Sequence, residues 1–229
     1  MSVAQNLQDI LSRVEASAKK SGRSVSDISI VGVTKSLSVE KALEALSAGV
    51  KVLAENRIQE AQDKVPAVSG AEWHLIGHLQ TNKIKAALDL FSCIQSVDSV
   101  RLAQKLHEEL EARNGQLRIF LEVNISGEEQ KHGFLPEELY SAVDQIKEFS
   151  RLKVEGLMGI APNSPNESLR RASFKKLKGL FTVLKSMKSD NFEMKTLSMG
   201  MSDDFEAAVE EGSNMIRLGR ALFGKRGDQ

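Results

Sequence analysis

The chain has 229 residues, enough to bury a full core as one large α/β domain or two small ones. Its 31 Lys and Arg balance 31 Asp and Glu, so no net field gathers a polyanion, and nucleic acid is not an expected partner. At 41% hydrophobic and 27% charged residues, with no apolar run near the roughly 20 residues of a membrane span and an amphipathic N-terminus, the chain reads as globular, without membrane span or secretory signal.

Val3, Leu7, Ile10, Leu11, Val14 and Ala18 recur at helical spacing, which predicts a leading helix over 3–20, ended near Gly22 and packed as a cover. Apolar runs then predict strands near 28–34, 51–54, 73–78, 93–97, 118–124, 154–160, 194–200 and 214–218. Helical patterns fall between them, near 38–48, 57–65, 82–90, 99–113, 136–149, 166–188 and 203–211, with a stub after Arg220. Cys93, the one cysteine, excludes an internal disulfide and a cysteine zinc cluster and fits a reducing compartment, so the cytoplasm is the expected location. Continuous apolar strands alternating with helices mean a parallel sheet covered by helices, and eight repeats predict a (β/α)8 TIM-type barrel with an extra N-terminal helix. An open doubly wound sheet is the alternative. No linker or low-complexity segment interrupts the pattern, and Pro66, Pro136, Pro162 and Pro165 fall at loops or helix starts, so residues 1–229 are expected to form one domain.

Unusual polar residues sit where the strands end. The exits carry Lys35, Glu55-Asn56-Arg57, Gly77-His78, Asp98, Asn124, Met158-Gly159, Ser198 to Ser202, and Arg217 with Gly219. In a closed barrel these converge on one rim. Lys35 ends the run Ile28 to Thr34, and beside apolar walls such an amine is depressed toward the neutral, nucleophilic form. The turns Ser198-Met199-Gly200-Met201-Ser202 and Gly219-Arg220 offer amides and hydroxyls to a phosphate, and Arg217 adds a guanidinium. An amine, phosphate-type turns and a guanidinium together suggest pyridoxal phosphate. Ala161-Pro162-Asn163-Ser164-Pro165 follows a strand and is placed to form a rim or lid.

Each motif also has a plain structural explanation. A lysine at a strand-to-helix joint is ordinarily solvated. Asn56, with Gln59 three residues on, has the spacing of a capping box, and Ser202 before Asp203-Asp204 that of an N-cap. His74 and His78 stand about 13 Å apart if both lie on one strand, too far for a shared ion, so no metal site is expected there. Gly219 to Arg226 resembles a P-loop, but Arg226 stands where Ser or Thr would bind magnesium. Lys175, Lys176 and Lys178 read as the solvated face of a helix that buries Phe174, Leu177, Phe181 and Leu184.

An ordered set of segments resembles the YggS-like pyridoxal-phosphate homeostasis proteins, also called proline synthetase co-transcribed homologues, nearly end to end. It comprises VGVTK at 31–35, AENRIQE at 54–60, WHLIGHLQTNK at 73–83, SVDS at 96–99, VNIS and KHGF within 123–134, GLMGIAP at 156–162, LSMGMSDDFEAAVEEGS at 197–213 and IRLGRALFG at 216–224. The resemblance implies a barrel like the alanine racemase N-terminal domain, of the type III pyridoxal phosphate fold, with the cofactor joined to Lys35 as an imine. It further implies phosphate contacts from Ser198, Ser202, Gly219 and Arg220, with Met199 in the same turn, and Arg217 as partner of the pyridine nitrogen. Asn56, His78 and Met158 match positions lining the ring. Ala54 departs from a frequent glycine, and Arg220 from a frequent serine or threonine, which leaves the backbone phosphate contact but not a hydroxyl one.

Two functional classes follow. A racemase needs bases on both faces of the substrate's imine. Racemases of the resembling fold take a tyrosine from an additional β-domain that this length does not accommodate, while the single tyrosine, Tyr140, is predicted in a helix. The favoured expectation is a non-enzymatic protein that buffers or delivers pyridoxal phosphate, a monomer meeting pyridoxal-phosphate-dependent apoenzymes transiently. A racemase-like enzyme is the alternative. Lys131 and Lys83 are expected to be solvated rather than second amines for the aldehyde.

Overall fold

The computed structural model describes residues 2–128, 130–187 and 189–224. Eight strands run β1 Ser29–Val33, β2 Val52–Glu55, β3 Glu72–Leu75, β4 Cys93–Val97, β5 Leu117–Val123, β6 Leu152–Gly159, β7 Phe192–Ser198 and β8 Met215–Leu218. All neighbouring pairs are parallel, and β8 pairs with β1 through Val31 opposite Arg217, so the sheet closes into a barrel. The open-sheet alternative is thereby excluded. Around it lie α1 Val3–Lys20, α2 Val39–Ser47, α3 Ile58–Ala67, α4 Ile84–Leu90, α5 Val100–Ala112, α6 Leu139–Ile146, α7 Glu167–Leu184, α8 Phe205–Glu210 and α9 Arg220–Phe223. Among the described residues no helix is long and apolar enough to cross a membrane.

The expected elements form, with shifts that have physical causes. α1 starts at a capping box between Ser2 and Gln5 and buries Val3, Leu7, Ile10, Val14 and Ala18, while Leu11 is left exposed. It packs on α2, α8 and α9, across the β8–β1 closure, where Arg13 meets Glu206 and Asn6 donates to the Leu222 carbonyl. β3 ends at Leu75 rather than 78, which moves Gly77 and His78 into the following loop. The 136–149 helix contracts to α6, and Pro66 sits in the last turn of α3 rather than in a loop. Lys225 and Arg226 of the P-loop-like run lie outside the described residues.

Two apolar layers follow from the two faces of each strand. The larger lies between sheet and helices. The smaller fills the barrel with Val31, Ala54, Cys93, Phe120, Met158 and Met215. A strand's side chains alternate, so residues two or four places after an inner one also face inward at the strand's end. Counting from Val31, Ala54, Phe120, Met158 and Met215 reaches Lys35, Asn56, Glu122, Ile160 and Arg217. That parity selects which exit residues meet. Cys93 is fully buried in this layer, and burial pushes its thiol far above the usual range, so it is no thiolate nucleophile.

Candidate functional site

A cavity of ≈ 640 Å³ opens at the C-terminal ends of the strands. Six of the ten sequence-expected residues line it: Lys35, Asn56, Ser202, Arg217, Gly219 and Arg220. Val33, Leu37, Ile76, Ile160 and Phe223 supply apolar wall.

Lys35 is held by both its neighbours. The Thr34 amide donates to the Ala54 carbonyl at 3.0 Å, and its hydroxyl donates to Glu55 Oε1 at 2.6 Å. Ser36 adopts φ +60°, a left-handed conformation costly for a non-glycine residue, and its amide donates to Glu60 Oε2 at 2.5 Å. Lys64 of α3 completes the clamp, since its Nζ donates to the Thr34 carbonyl and to Glu55 Oε1, both at 2.7 Å, with both side chains buried. Lys64 was not legible as a site residue; its one signal is a place on the buried face of α3 with Ile58 and Ala61, four residues after Glu60. The Lys35 amine itself makes no hydrogen bond or ion pair among the described residues.

Asn56 does not cap α3. The N-cap position is Arg57, without a side-chain cap bond, and Asn56 Oδ1 is buried with no hydrogen-bond partner. The chain there is so close to the next exit that a Cβ on Gly77 would lie 2.2 Å from the Asn56 carbonyl oxygen, so only glycine fits. Ser202 likewise is not the N-cap of α8, whose cap position is Asp204. Its Oγ accepts from the Ala221 amide at 3.0 Å, stitching the β7 exit to the β8 exit, while Arg220 pairs with Asp203. Gly200 holds φ +95°, and its carbonyl accepts from the Arg217 amide at 3.0 Å.

Arg217 is 3% exposed. It donates to the Ser198 carbonyl (2.8 Å), to Ser198 Oγ (2.7 Å) and to the Gly159 carbonyl (3.0 Å), with no carboxylate within ion-pair distance among the described residues. Burial pushes its pKa down to about 10, against the fields of Glu122 and Asp204, so it remains a cation at neutral pH. Ser198 therefore braces Arg217 instead of facing the cavity. Its Oγ donates to Gln95 Oε1 (2.7 Å), Gln95 Nε2 donates to His74 Nδ1 (2.7 Å), and His74 Nε2 donates to Glu72 Oε1 (2.7 Å). Hydrogen bonding from His74, helped by Arg118, holds the Glu72 carboxyl down at about 2. This polar file through the barrel went unread in the sequence because His74 and Gln95 sit inside strands.

Met158 and Met199 are fully buried and, with Ser198, line neither this cavity nor the adjoining one. His78 lines a second cavity of ≈ 280 Å³ together with Glu122 and Lys131. Its Nδ1 lies 2.7 Å from Asp98 Oδ2 and its ring stacks on His132 at 3.9 Å with planes 10° apart. His78, Asp98 and His132 bring ligand atoms within 4.8 Å of one another, unlike the His74–His78 pairing considered from sequence. Parallel stacked rings cannot both direct their in-plane lone pairs at one ion, so this geometry is a hydrogen-bonded stack. Lys131 pairs with Glu128 at 2.5 Å, and Lys83 lines neither cavity. Pro162 to Pro165 line neither cavity, although Ile160 just before them lines both. Tyr140 is on the outer surface, 37% exposed.

A closed parallel barrel with an uncommitted lysine at the β1 exit and a buried arginine on β8 places the chain among barrels of the alanine racemase N-terminal type: residues 6–227 match the family described as Alanine racemase, N-terminal domain. A protein of Vibrio cholerae serotype O1 named "Pyridoxal phosphate homeostasis protein" is 35% identical, the match covering 98% of this chain and 97% of that one; the protein of that name in Aquifex aeolicus is 36% identical over 99% of each. The chain belongs to the pyridoxal phosphate homeostasis protein family. The structure of PipY of Synechococcus elongatus PCC7942 with PLP bound has a TM-score of 0.83 at 29% identity, covering 97% of this chain and 100% of that one. Alanine racemase of Clostridium difficile 630, at 18% identity and TM-score 0.75, shares the fold, and this chain covers 57% of it.

Proposed function

We infer that this chain binds pyridoxal 5'-phosphate in the larger cavity, tethers it reversibly through Lys35, and buffers or delivers it within the cytoplasm without strong catalysis. The observation that carries the reading is one cavity faced by a lysine amine and a buried guanidinium, neither with a carboxylate partner among the described residues. The residues fit the group: the orphaned Asn56 Oδ1 awaits a donor, and the volume is in the range of small-molecule sites. When bound, the cofactor supplies an aldehyde carbon that condenses reversibly with a primary amine.

Lys35 would supply that amine, held in place by Thr34, Ser36 and Lys64. Ser202, Gly219 and Arg220 would hold the phosphate, with Arg220 offsetting Asp203 beside it. Arg217 would donate to the ring nitrogen while keeping its own proton, so the ring stays a weak electron sink. Ser198 acts through Arg217, fixing the guanidinium plane. A monomeric state and transient contact with pyridoxal-phosphate-dependent apoenzymes belong to the same proposal.

The racemase reading draws on the shared fold, yet Tyr140 lines neither cavity. Holoprotein incubated with L- or D-alanine is expected to leave optical rotation unchanged over hours while the cofactor's absorbance shifts as amines exchange. Sustained racemisation at enzymatic rates would replace the carrier reading with the enzyme.

A further inference from the structure

The smaller cavity is not absorbed by the function above. It shares the walls Asn56, Ile76 and Ile160 with the larger one, so the two form adjoining chambers on one rim. Its distinctive group is Glu122, which reaches inward from β5 two residues after the inner-layer Phe120. Glu122 is 9% exposed, and its carboxyl makes no hydrogen bond or ion pair among the described residues. A buried carboxylate without a partner is costly, and a ligand cation is the species that relieves the cost.

We propose that this chamber is an ammonium subsite: Glu122 takes a primary alkylammonium group and, by accepting one of its protons, presents the neutral amine beside the cofactor cavity. The exchange is R–NH3+ plus carboxylate giving R–NH2 plus carboxylic acid, with charge and protons balanced. The idea rests on the cofactor reading for its purpose, not for its geometry. Burial first, then the charge of Asp98, pushes the Glu122 carboxyl up to about 7, while the Arg217 field opposes the rise. Such a carboxyl exchanges protons near neutral pH far more readily than an ordinary one. The other groups around the chamber leave the carboxylate uncompensated: Lys131 is spent on Glu128, and His78 and His132 are turned to Asp98. Lys131 and His132, which line the chamber, follow Glu128, whose carbonyl accepts from Asn124 Nδ2 at 2.9 Å. The ligand chemistry is a primary amine on a slim alkyl stem, supplied by a free amino acid or by a lysine side chain of another protein.

Protein with carboxyl-13C glutamate is titrated with Nα-acetyl-lysinamide and, separately, with L-alanine, as apoprotein and after borohydride has fixed the cofactor. The Glu122 carboxyl resonance is expected to shift on amine addition in both forms, and binding is expected to strengthen as pH rises through about 7. Glu122→Gln should weaken binding at least about tenfold and remove the pH dependence, while His132→Asn should retain the Glu122 shift. A response to the lysine mimic alone identifies a protein lysine, and one to alanine alone a free amino acid; either supports the subsite. No Glu122 shift with either amine, or Glu122→Gln binding like wild type, overturns it. Cofactor retention, measured on the same samples, separates failure of the subsite from failure of the carrier reading.

Discussion

Replacing Lys64 with methionine is expected to destabilise the fold by about 3–5 kcal/mol, the loss typical of breaking one side of a buried ion pair. The pair's net worth is not the cause, because desolvation of two charges offsets most of their attraction. The cost comes from what remains: Glu55 has 0% exposure, its Oε2 already lacks a partner, and loss of the amine leaves Oε1 with the Thr34 hydroxyl alone. The Thr34 carbonyl loses a donor too, so the joint next to Lys35 should loosen. Urea unfolding measures the first effect. The double variant Lys64→Met with Glu55→Leu should recover most of the stability, and a double variant as unstable as the single one contradicts the electrostatic explanation.

Lys35→Ala is expected to keep the fold and to lose cofactor affinity by about a hundredfold or more. Lys35 is half-buried at a loop and its amine makes no hydrogen bond or ion pair among the described residues, whereas the proposed tether would be a covalent bond that Ser202, Gly219 and Arg220 cannot replace. Equilibrium dialysis with unchanged thermal unfolding measures both halves of the expectation. Wild-type affinity in Lys35→Ala would move the anchor to another amine, with Lys131 of the second chamber the first to examine.

The barrel was legible because its repeats are long and regular: eight apolar runs separated by helical patterns leave little choice of topology. The rim was legible only in part. Strands of a parallel barrel are buried on both faces, so hydrophobic periodicity does not tell inward from outward. Ser198 read as a phosphate contact, with Met199 in the same serine- and glycine-rich turn; strand pairing continues there, with Ser198 Oγ accepting from Arg217 and Met199 in the core. His78 matched a ring-lining position at a strand exit; the strand stops three residues earlier, and in the loop its Nδ1 lies 2.7 Å from Asp98 Oδ2. Asn56 and Ser202 had capping spacings, but each helix begins one or more residues later, which frees Asn56 Oδ1 and gives Ser202 to Ala221. Glu122 and Lys64 carried no motif at all. Their significance is burial of a charge, which only the closed barrel and the docked α3 create.

Fixation of the bound cofactor tests Lys35 as the tether directly. Holoprotein reduced with borohydride, digested and analysed by mass spectrometry should carry the pyridoxyl group on Lys35, with Lys83 and Lys131 unlabelled at one equivalent of cofactor. A principal label on any other lysine, or none after a stoichiometric complex has formed, would contradict it.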